Sequence, residues 1–337
     1  MDSDEEWAGL RATRAAPPAP AQQSADRKAT YQFALEQAEQ LFRQARLASP
    51  ATRPLTLFYG LSQAGRSIAA AAANAPGDEW KLKGHGIGTT ASTLSGPLEN
   101  VQVHTDKNGS FVRLSELLES PLWSKADQVR LHVLWDSVPE AGRWSLRPDT
   151  STWTRPLHVD VSSIGDGGSS RPTTMVRPLP PSLISTTDHE TLHAFLRSYP
   201  DTRGCAYNVL GQDSESRPSY QPSHDGTGSL VLQWPELKAE RYQNRRDFVC
   251  ARTRSYRGEE FFFPTPVSGS DRGIHPLMAW WAVLFTLSIL ARYQPVEWAR
   301  HIDVDNSEYA VPIEELLRAA LTVLPELIVE IIDDVSR

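Results

Sequence analysis

The chain predicts a mainly α protein of the α+β kind, with a helical core built from its N- and C-terminal helices and a strand-containing central insert. Three observations carry this expectation. Apolar residues recur at helical spacing near the N-terminus, at Tyr31, Ala34, Leu35, Ala38, Leu41, Phe42 and Ala45, and again from Leu57 through Ile68. Near the C-terminus the longest apolar run, PLMAWWAVLFTLSILA from Pro276, is apolar on every side, as a helix at the centre of a large core is. Between these, from about residue 150 to 265, short alternating runs are separated by loops rich in Ser, Gly and Pro. Helices at the two ends of a chain pack most simply against one another as a single core.

The elements follow in order. Residues 1–26 are acidic and then Ala/Pro-rich, a composition that reads as a disordered tail. Residues 27–337 then read as a single domain. The first amphipathic helix runs from Lys28 to Leu47, and Pro54 opens a second, in which Gly60 and Gly65 mark close packing. A glycine-rich loop from Lys83 to Thr90 leads to an extended segment around Val101 and Val103 and a turn at Asp106 to Gly109. Leu114 to Glu119 reads as a short helix, while Val129 to Trp135 is too densely apolar to choose between strand and helix.

Within the insert, Thr154 to Val161 and Leu230 to Trp234 read as strands. Thr187 and Glu190 form a capping box for a helix through Leu192, Phe195 and Leu196. Gly211 to Gly228 reads as a polar loop, and Phe248 to Arg254 with Glu259 to Phe263 as a hairpin turning at Arg257 and Gly258. Helices resume at Pro276 to Tyr293, Val296 to His301 and Pro312 to Val335, the last with a break at Pro325.

Composition limits the function classes. With 34 Lys plus Arg against 41 Asp plus Glu, the net charge of -7 opposes a general attraction to nucleic-acid backbones or anionic membranes. Two cysteines, Cys205 and Cys250, exclude a disulfide framework and a four-cysteine zinc site, and fit a reducing compartment. The opening MDSDEEW is acidic with no apolar stretch behind it, so a cytoplasmic location is expected. The run from Pro276 is short for a bilayer span and is closed by Arg292 and Tyr293, so no membrane association is expected.

Four stretches, RPLTLFYGLSQAGRSI (Arg53 to Ile68), GHGIGTT (Gly84 to Thr90), KNGSF (Lys107 to Phe111) and HPLMAWWAVLFTLSILARYQPVEW (His275 to Trp298), resemble in order and spacing the YaaC-like family of bacterial proteins. The resemblance covers roughly Tyr31 to Ile332, and LFxLSxLARYxPxxW is its most specific part. It implies a helical domain and no particular reaction. The chain is also loosely similar to helical HEPN-type domains, which include RNases and non-catalytic binding modules. An RNase of that type is implied to place an Arg shortly before a His on a core helix. Here eight residues, Pro295 among them, separate Arg292 from His301, a departure from that pattern.

Several motifs invite chemistry. GLSQAGRS, Gly60 to Ser67, matches a phosphate-binding P-loop except that Arg66 stands at the lysine position, and Asp136 would then be the magnesium-binding partner. Helical periodicity runs through both glycines, however, and leaves no loop. The segment around His85 is the stronger candidate: Gly84, Gly86 and Gly88 let backbone approach a ligand, while His85, Thr89 and Thr90 supply polar contacts. The alternative is that these glycines serve a tight connection. His301, Asp303 and Asp305 read either as a metal triad or as a helix end running into a polar turn. His189 and His193 have zinc-pair spacing without the HExxH order. Arg241, Arg245, Arg246, Arg252, Arg254 and Arg257, with Tyr242 and Tyr256 among them, suit single-stranded nucleic acid, an acidic partner or a solvated face.

The expectation is a non-enzymatic binding or regulatory protein, with no recognisable catalytic motif. It would recognise a protein partner or a small anionic ligand through Gly84, His85, Gly86, Thr89 and Thr90, with Arg245, Arg246, Arg252 and Arg254 as further anion or nucleic-acid contacts. No metal and no cofactor are expected. The alternative is a HEPN-type RNA-processing enzyme with a non-standard Arg/His site.

Overall fold

A computed structural model describes residues 3–147, 153–164, 171–185, 189–207, 220–224, 226–237 and 244–337. It divides into two compact units, one formed by Met1–Arg147 with His275–Arg337 and the other by Pro148–Ile274. The second spans the stretch read above as a strand-containing insert.

The first unit is helix packed on helix. Its helices are α1 (Ser3–Ala15), α2 (Ala25–Leu47), α3 (Arg53–Ala71), α4 (Ser110–Leu117), α5 (Leu131–Asp136), α9 (Pro276–Tyr293), α10 (Pro295–His301) and α11 (Ala310–Val335). A three-stranded antiparallel sheet, β1 (Ile87–Thr89), β2 (Gln102–Thr105) and β3 (Val129–Arg130), runs in the order β1-β2-β3. Helix α3 lies against α2, α9 and α11. Two glycines set its approach: a Cβ on Gly65 would stand 2.6 Å from Cζ3 of Trp281, and one on Gly60 would stand 2.9 Å from Cδ2 of Phe42. Every residue of α9 from Pro276 to Ser288 is buried, so its all-round apolarity is matched by protein on all sides. This helix is long and apolar enough to cross a membrane, and 78% of it is buried inside the protein.

Cations close the ends of two helices. The buried Arg27 guanidinium donates to the carbonyls of Ala70 (2.8 Å), Ala72 (2.5 Å) and Ala75 (3.2 Å) at and beyond the end of α3. Arg53 donates to Ala45 (3.1 Å) and Ala48 (2.8 Å) at the end of α2. Both satisfy carbonyls that a helix leaves without an internal donor, and both place positive charge at the negative end of the dipole.

The structure departs from the sequence expectation at several points. The segment expected as a disordered tail begins with α1, whose Trp7 and Leu10 are each 1% exposed. Trp7 lies 5.4 Å from the Phe42 ring, and Arg11 and Arg14 pair with Glu39 and Glu36 of α2. Two apolar side chains at i and i+3 supply the stripe that the average composition of the segment hides. Helix α11 continues through Pro325, which is buried within it, so that packing outweighs the missing backbone donor. The ambiguous stretch from Val129 resolves into two strand residues followed by α5, which puts Asp136 at the end of a helix rather than a strand. GLSQAGRS lies inside α3, and no phosphate-binding loop forms there.

The second unit is built on a six-stranded antiparallel sheet in the order β6-β7-β5-β4-β9-β8, comprising β4 (Leu157–Asp160), β5 (Thr173–Leu179), β6 (Tyr220–Pro222), β7 (Gly228–Gln233), β8 (Arg254–Tyr256) and β9 (Glu259–Phe262). Leu157, Val159, Val176, Leu230, Leu232 and Phe262 form one buried cluster with Leu192 and Leu196 of α7 (His189–Leu196) and Phe248 of α8 (Arg245–Cys250). A short helix α6 (Pro181–Ile184) follows β5. The expected hairpin exists in shorter form: β8 and β9 turn at Arg257 (φ 55°) and Gly258 (φ 75°), as a two-residue turn with both centres left-handed requires. Its expected first strand, from Phe248, begins instead as α8, where the Asn244 side chain accepts from the Asp247 N–H and starts a helix. Thr187 of the capping box, Arg241, Tyr242 and most of the polar loop from Gly211 lie outside the described residues.

Candidate functional site

The glycine-rich loop and the KNGSF turn are built against each other. The Gly84 carbonyl accepts from the Ser110 N–H (3.3 Å) and the Ser110 hydroxyl (2.6 Å), and the His85 carbonyl accepts from the Phe111 N–H (2.9 Å). The first donors of α4 are therefore satisfied by the loop. The Gly86 carbonyl accepts from the Asp106 N–H at 3.1 Å. Gly86 and Gly109 meet back to back: a Cβ on Gly109 would lie 2.3 Å from both N and Cα of Gly86. Gly88 makes room for His104, whose Nε2 would be 2.7 Å from a Cβ there. Gly86 and Gly109 thus serve this backbone clasp.

The side chains of the loop divide. His85 is exposed, but its ring lies 5.8 Å from Phe58 of α3 and 6.0 Å from Phe285 of α9, tilted against both. Thr90 donates its hydroxyl to Gln128 (2.8 Å), and Thr89 pairs with Val103 in the β1–β2 ladder. His104 is buried, and burial first and then the nearby Lys125 hold its pKa below the usual histidine value. Its Nδ1 has no hydrogen-bond partner among the described residues.

A cleft of about 400 Å³ opens beside the clasp, lined by Lys81, Lys83, Lys107, Asn108, Gly109, Val112, Arg113 and Glu116. Two of its cations are neutralised: Lys81 pairs with Asp78 (2.8 Å), and Arg113 with Glu79 (2.5 Å) and Glu116 (2.9 Å). Lys83 and Lys107 are exposed and make no salt bridge among the described residues. Sequence reasoning passed over both, although each flanks a motif it singled out, Lys83 before GHG and Lys107 before NG.

The remaining candidates lie elsewhere. Arg254 is buried and donates to the Gly273 carbonyl (3.1 Å), Arg252 stacks at 4.4 Å on the Phe248 ring, and Tyr256 is buried against Phe261 and Phe263. Arg245 and Arg246 sit in the first turn of α8, followed directly by Asp247. Among the described residues, Tyr256 is therefore not free for base stacking, and Tyr242 lies outside them. His189 and His193 both lie against the Tyr207 ring, at 5.6 and 5.0 Å. Asp303 spends its carboxylate on its own turn, accepting from the Asp305 N–H (3.1 Å) and the Asn306 amide (2.8 Å). Among the described residues no three His, Cys, Asp or Glu side chains are grouped to hold a metal. Arg292 donates to the Tyr59 hydroxyl (2.8 Å), whereas His301 is buried edge-on against Tyr309, so the two residues of the RNase alternative engage different partners. Burial pushes the Cys205 thiol up to about 12 and raises that of Cys250, which leaves neither poised as a nucleophile.

The family model described as YaaC-like Protein matches residues 8–332. That match begins within α1, well before Tyr31. No curated protein and no solved structure matches the chain.

Proposed function

The chain belongs to the YaaC-like family, and from that premise and the geometry beside the glycine clasp we propose that it is a non-enzymatic, regulatory binding protein for a small ligand bearing an anionic group. The observation that carries this is the pair of exposed lysines, Lys83 and Lys107, lining one cleft of about 400 Å³ and making no salt bridge among the described residues. In a chain of net charge -7, two unneutralised cations held on the same rigid clasp stand out from the general surface field. Asn108 adds an amide that both donates and accepts, and the cleft is of a size that takes a metabolite. His85 stands on the same loop beside Phe58 and Phe285, outside the lining of this cleft.

The test is a thermal-shift screen with sugar phosphates and nucleotides at low and high salt. A binding anion raises the melting temperature of the wild type, by less at high salt because the lysines are exposed. Lys83→Ala and Lys107→Ala remove the shift and leave the ligand-free melting point in place. A shift that survives both substitutions places the ligand elsewhere, and cleavage of added RNA by the purified chain would replace a binding function with a catalytic one.

A further inference from the structure

In the second unit a polar row crosses the sheet on the face opposite its buried cluster. Leu157 and Val159 of β4 enter the cluster, so His158 between them points to the other face. Directly across the ladder it meets Arg177 of β5 on one side and Phe261 of β9 on the other. Glu259, two residues before Phe261, shares that face. Its carboxylate holds His158 Nε2 at 2.5 Å, and the Phe261 ring stands edge-on at 5.4 Å, so the imidazole is fixed from two sides. Arg177 contrasts with it. The pairing of β5 with β7 shifts register between Val176 and Leu179, the stretch that holds Arg177. Arg177 is exposed and makes no salt bridge or side-chain hydrogen bond among the described residues.

His158, Arg177 and Glu259 line one cleft of about 430 Å³, whose remaining wall is Pro178, Ser223 and Thr227. A hydrogen bond from the Ser223 N–H to the Thr227 carbonyl (2.7 Å) ties the two hydroxyl-bearing residues together beside β6 and β7. The chemistry is that of an oxyanion receptor. A guanidinium presents two parallel N–H donors to a planar carboxylate or a phosphoryl group, and the Ser223 hydroxyl donates to a third oxygen. Glu259 at the opposite side accepts from a hydroxyl or amine of the same ligand. We propose that this cleft is a second ligand site, for a small carboxylate- or phosphate-bearing molecule, with Arg177 as the anion clamp and Glu259, held by His158, as the acceptor for the ligand's donor group. No proton transfer is assigned to His158: one ring nitrogen is engaged by Glu259 and the other, Nδ1, is buried.

The experiment is arginine-selective dicarbonyl labelling of the full chain, read by peptide mass mapping, with inorganic phosphate or succinate as the probe at up to about 10 mM, above a millimolar dissociation constant. The expected result is a several-fold slowing of Arg177 modification by at least one probe, with Arg203, an exposed arginine paired with Asp271, unchanged as the internal reference. Protection by phosphate alone identifies a phosphoryl ligand, and protection by succinate alone a carboxylate. Protection is weaker in Ser223→Ala and unaltered in Lys83→Ala, so it stands or falls separately from the lysine cleft. No protection by either probe, or equal protection of Arg177 and Arg203, overturns the proposal.

Discussion

Alanine at Gly86 tests the clasp that shapes the candidate site. The residue has φ +73°, where an L side chain costs about 1–2 kcal/mol. The new Cβ would also lie 2.8 Å from Gly109 Cα and 2.9 Å from its carbonyl carbon, atoms of a backbone already tied to the loop at Ser110 and Phe111. Neither side yields as a flexible side chain would, so overpacking adds about 1–3 kcal/mol. Gly84→Ala is the matched control, with φ +66° and nothing within 4 Å of its Cβ, so it carries the conformational cost alone. The difference between the two variants is therefore about 1–3 kcal/mol. In a folding unit of this size each kcal/mol moves the melting temperature by about 2–4 °C. Differential scanning calorimetry resolves the two units if they melt separately, and the difference belongs to the transition of the helical one. Equal destabilisation by Gly84→Ala and Gly86→Ala would show that Gly86 and Gly109 do not meet, and the account of the loop would fail.

Three further perturbations probe the helical unit. Phe285→Ala removes a ring that packs on Phe58 at 5.4 Å and is 4% exposed, and should cost about 3–5 kcal/mol in calorimetric stability, whereas Arg292→Ala, an exposed side chain bonded to Tyr59, should cost about 0.5 kcal/mol or less and leave ligand binding intact. Arg27→Ala leaves three carbonyls without their buried donor and should cost about 3 kcal/mol or more, with Arg27→Lys recovering part of the loss; full stability of Arg27→Ala would refute its capping role. Burial lowers the pKa of His104, His132 and His301 from 6.5. Below that value the unfolded chain takes up protons that the folded one refuses, so the melting temperature should be level above about pH 6.5 and fall as the pH drops towards about 5. His301→Gln should flatten part of that fall, and an unchanged profile in the variant would remove His301 from the cause.

Legibility from sequence followed the strength of the local pattern. Helices α3, α9 and α10 were readable because apolar spacing and an opening proline agree, as at Pro54, Pro276 and Pro295, and α2 was readable from its apolar spacing. Helix α1 was not, since its two anchoring residues sit in a segment whose average is polar and whose partner, Phe42, is distant in sequence. The unbroken α11 was hidden for the opposite reason: a strong local breaker, Pro325, is overruled by burial on all sides. At the candidate site the glycines were visible, but their use was not. Nothing local to GHG announces that Gly109 will press against Gly86, and that contact joins the two segments whose Lys83 and Lys107 line one cleft. The row of His158, Arg177 and Glu259 was equally invisible, because strand register brings together residues far apart along the chain.

The central claim is that Lys83 and Lys107 hold an anionic ligand. Isothermal titration of the strongest stabilising phosphate compound into the wild type and into the Lys83→Gln/Lys107→Gln double variant tests it most directly. Both lysines are exposed and make no salt bridge among the described residues, so the double variant should keep its melting temperature and circular dichroism spectrum. The account predicts at least a tenfold weaker dissociation constant, about 1.4 kcal/mol, and a shallower dependence on salt. An unchanged affinity and salt dependence in the folded double variant would contradict it.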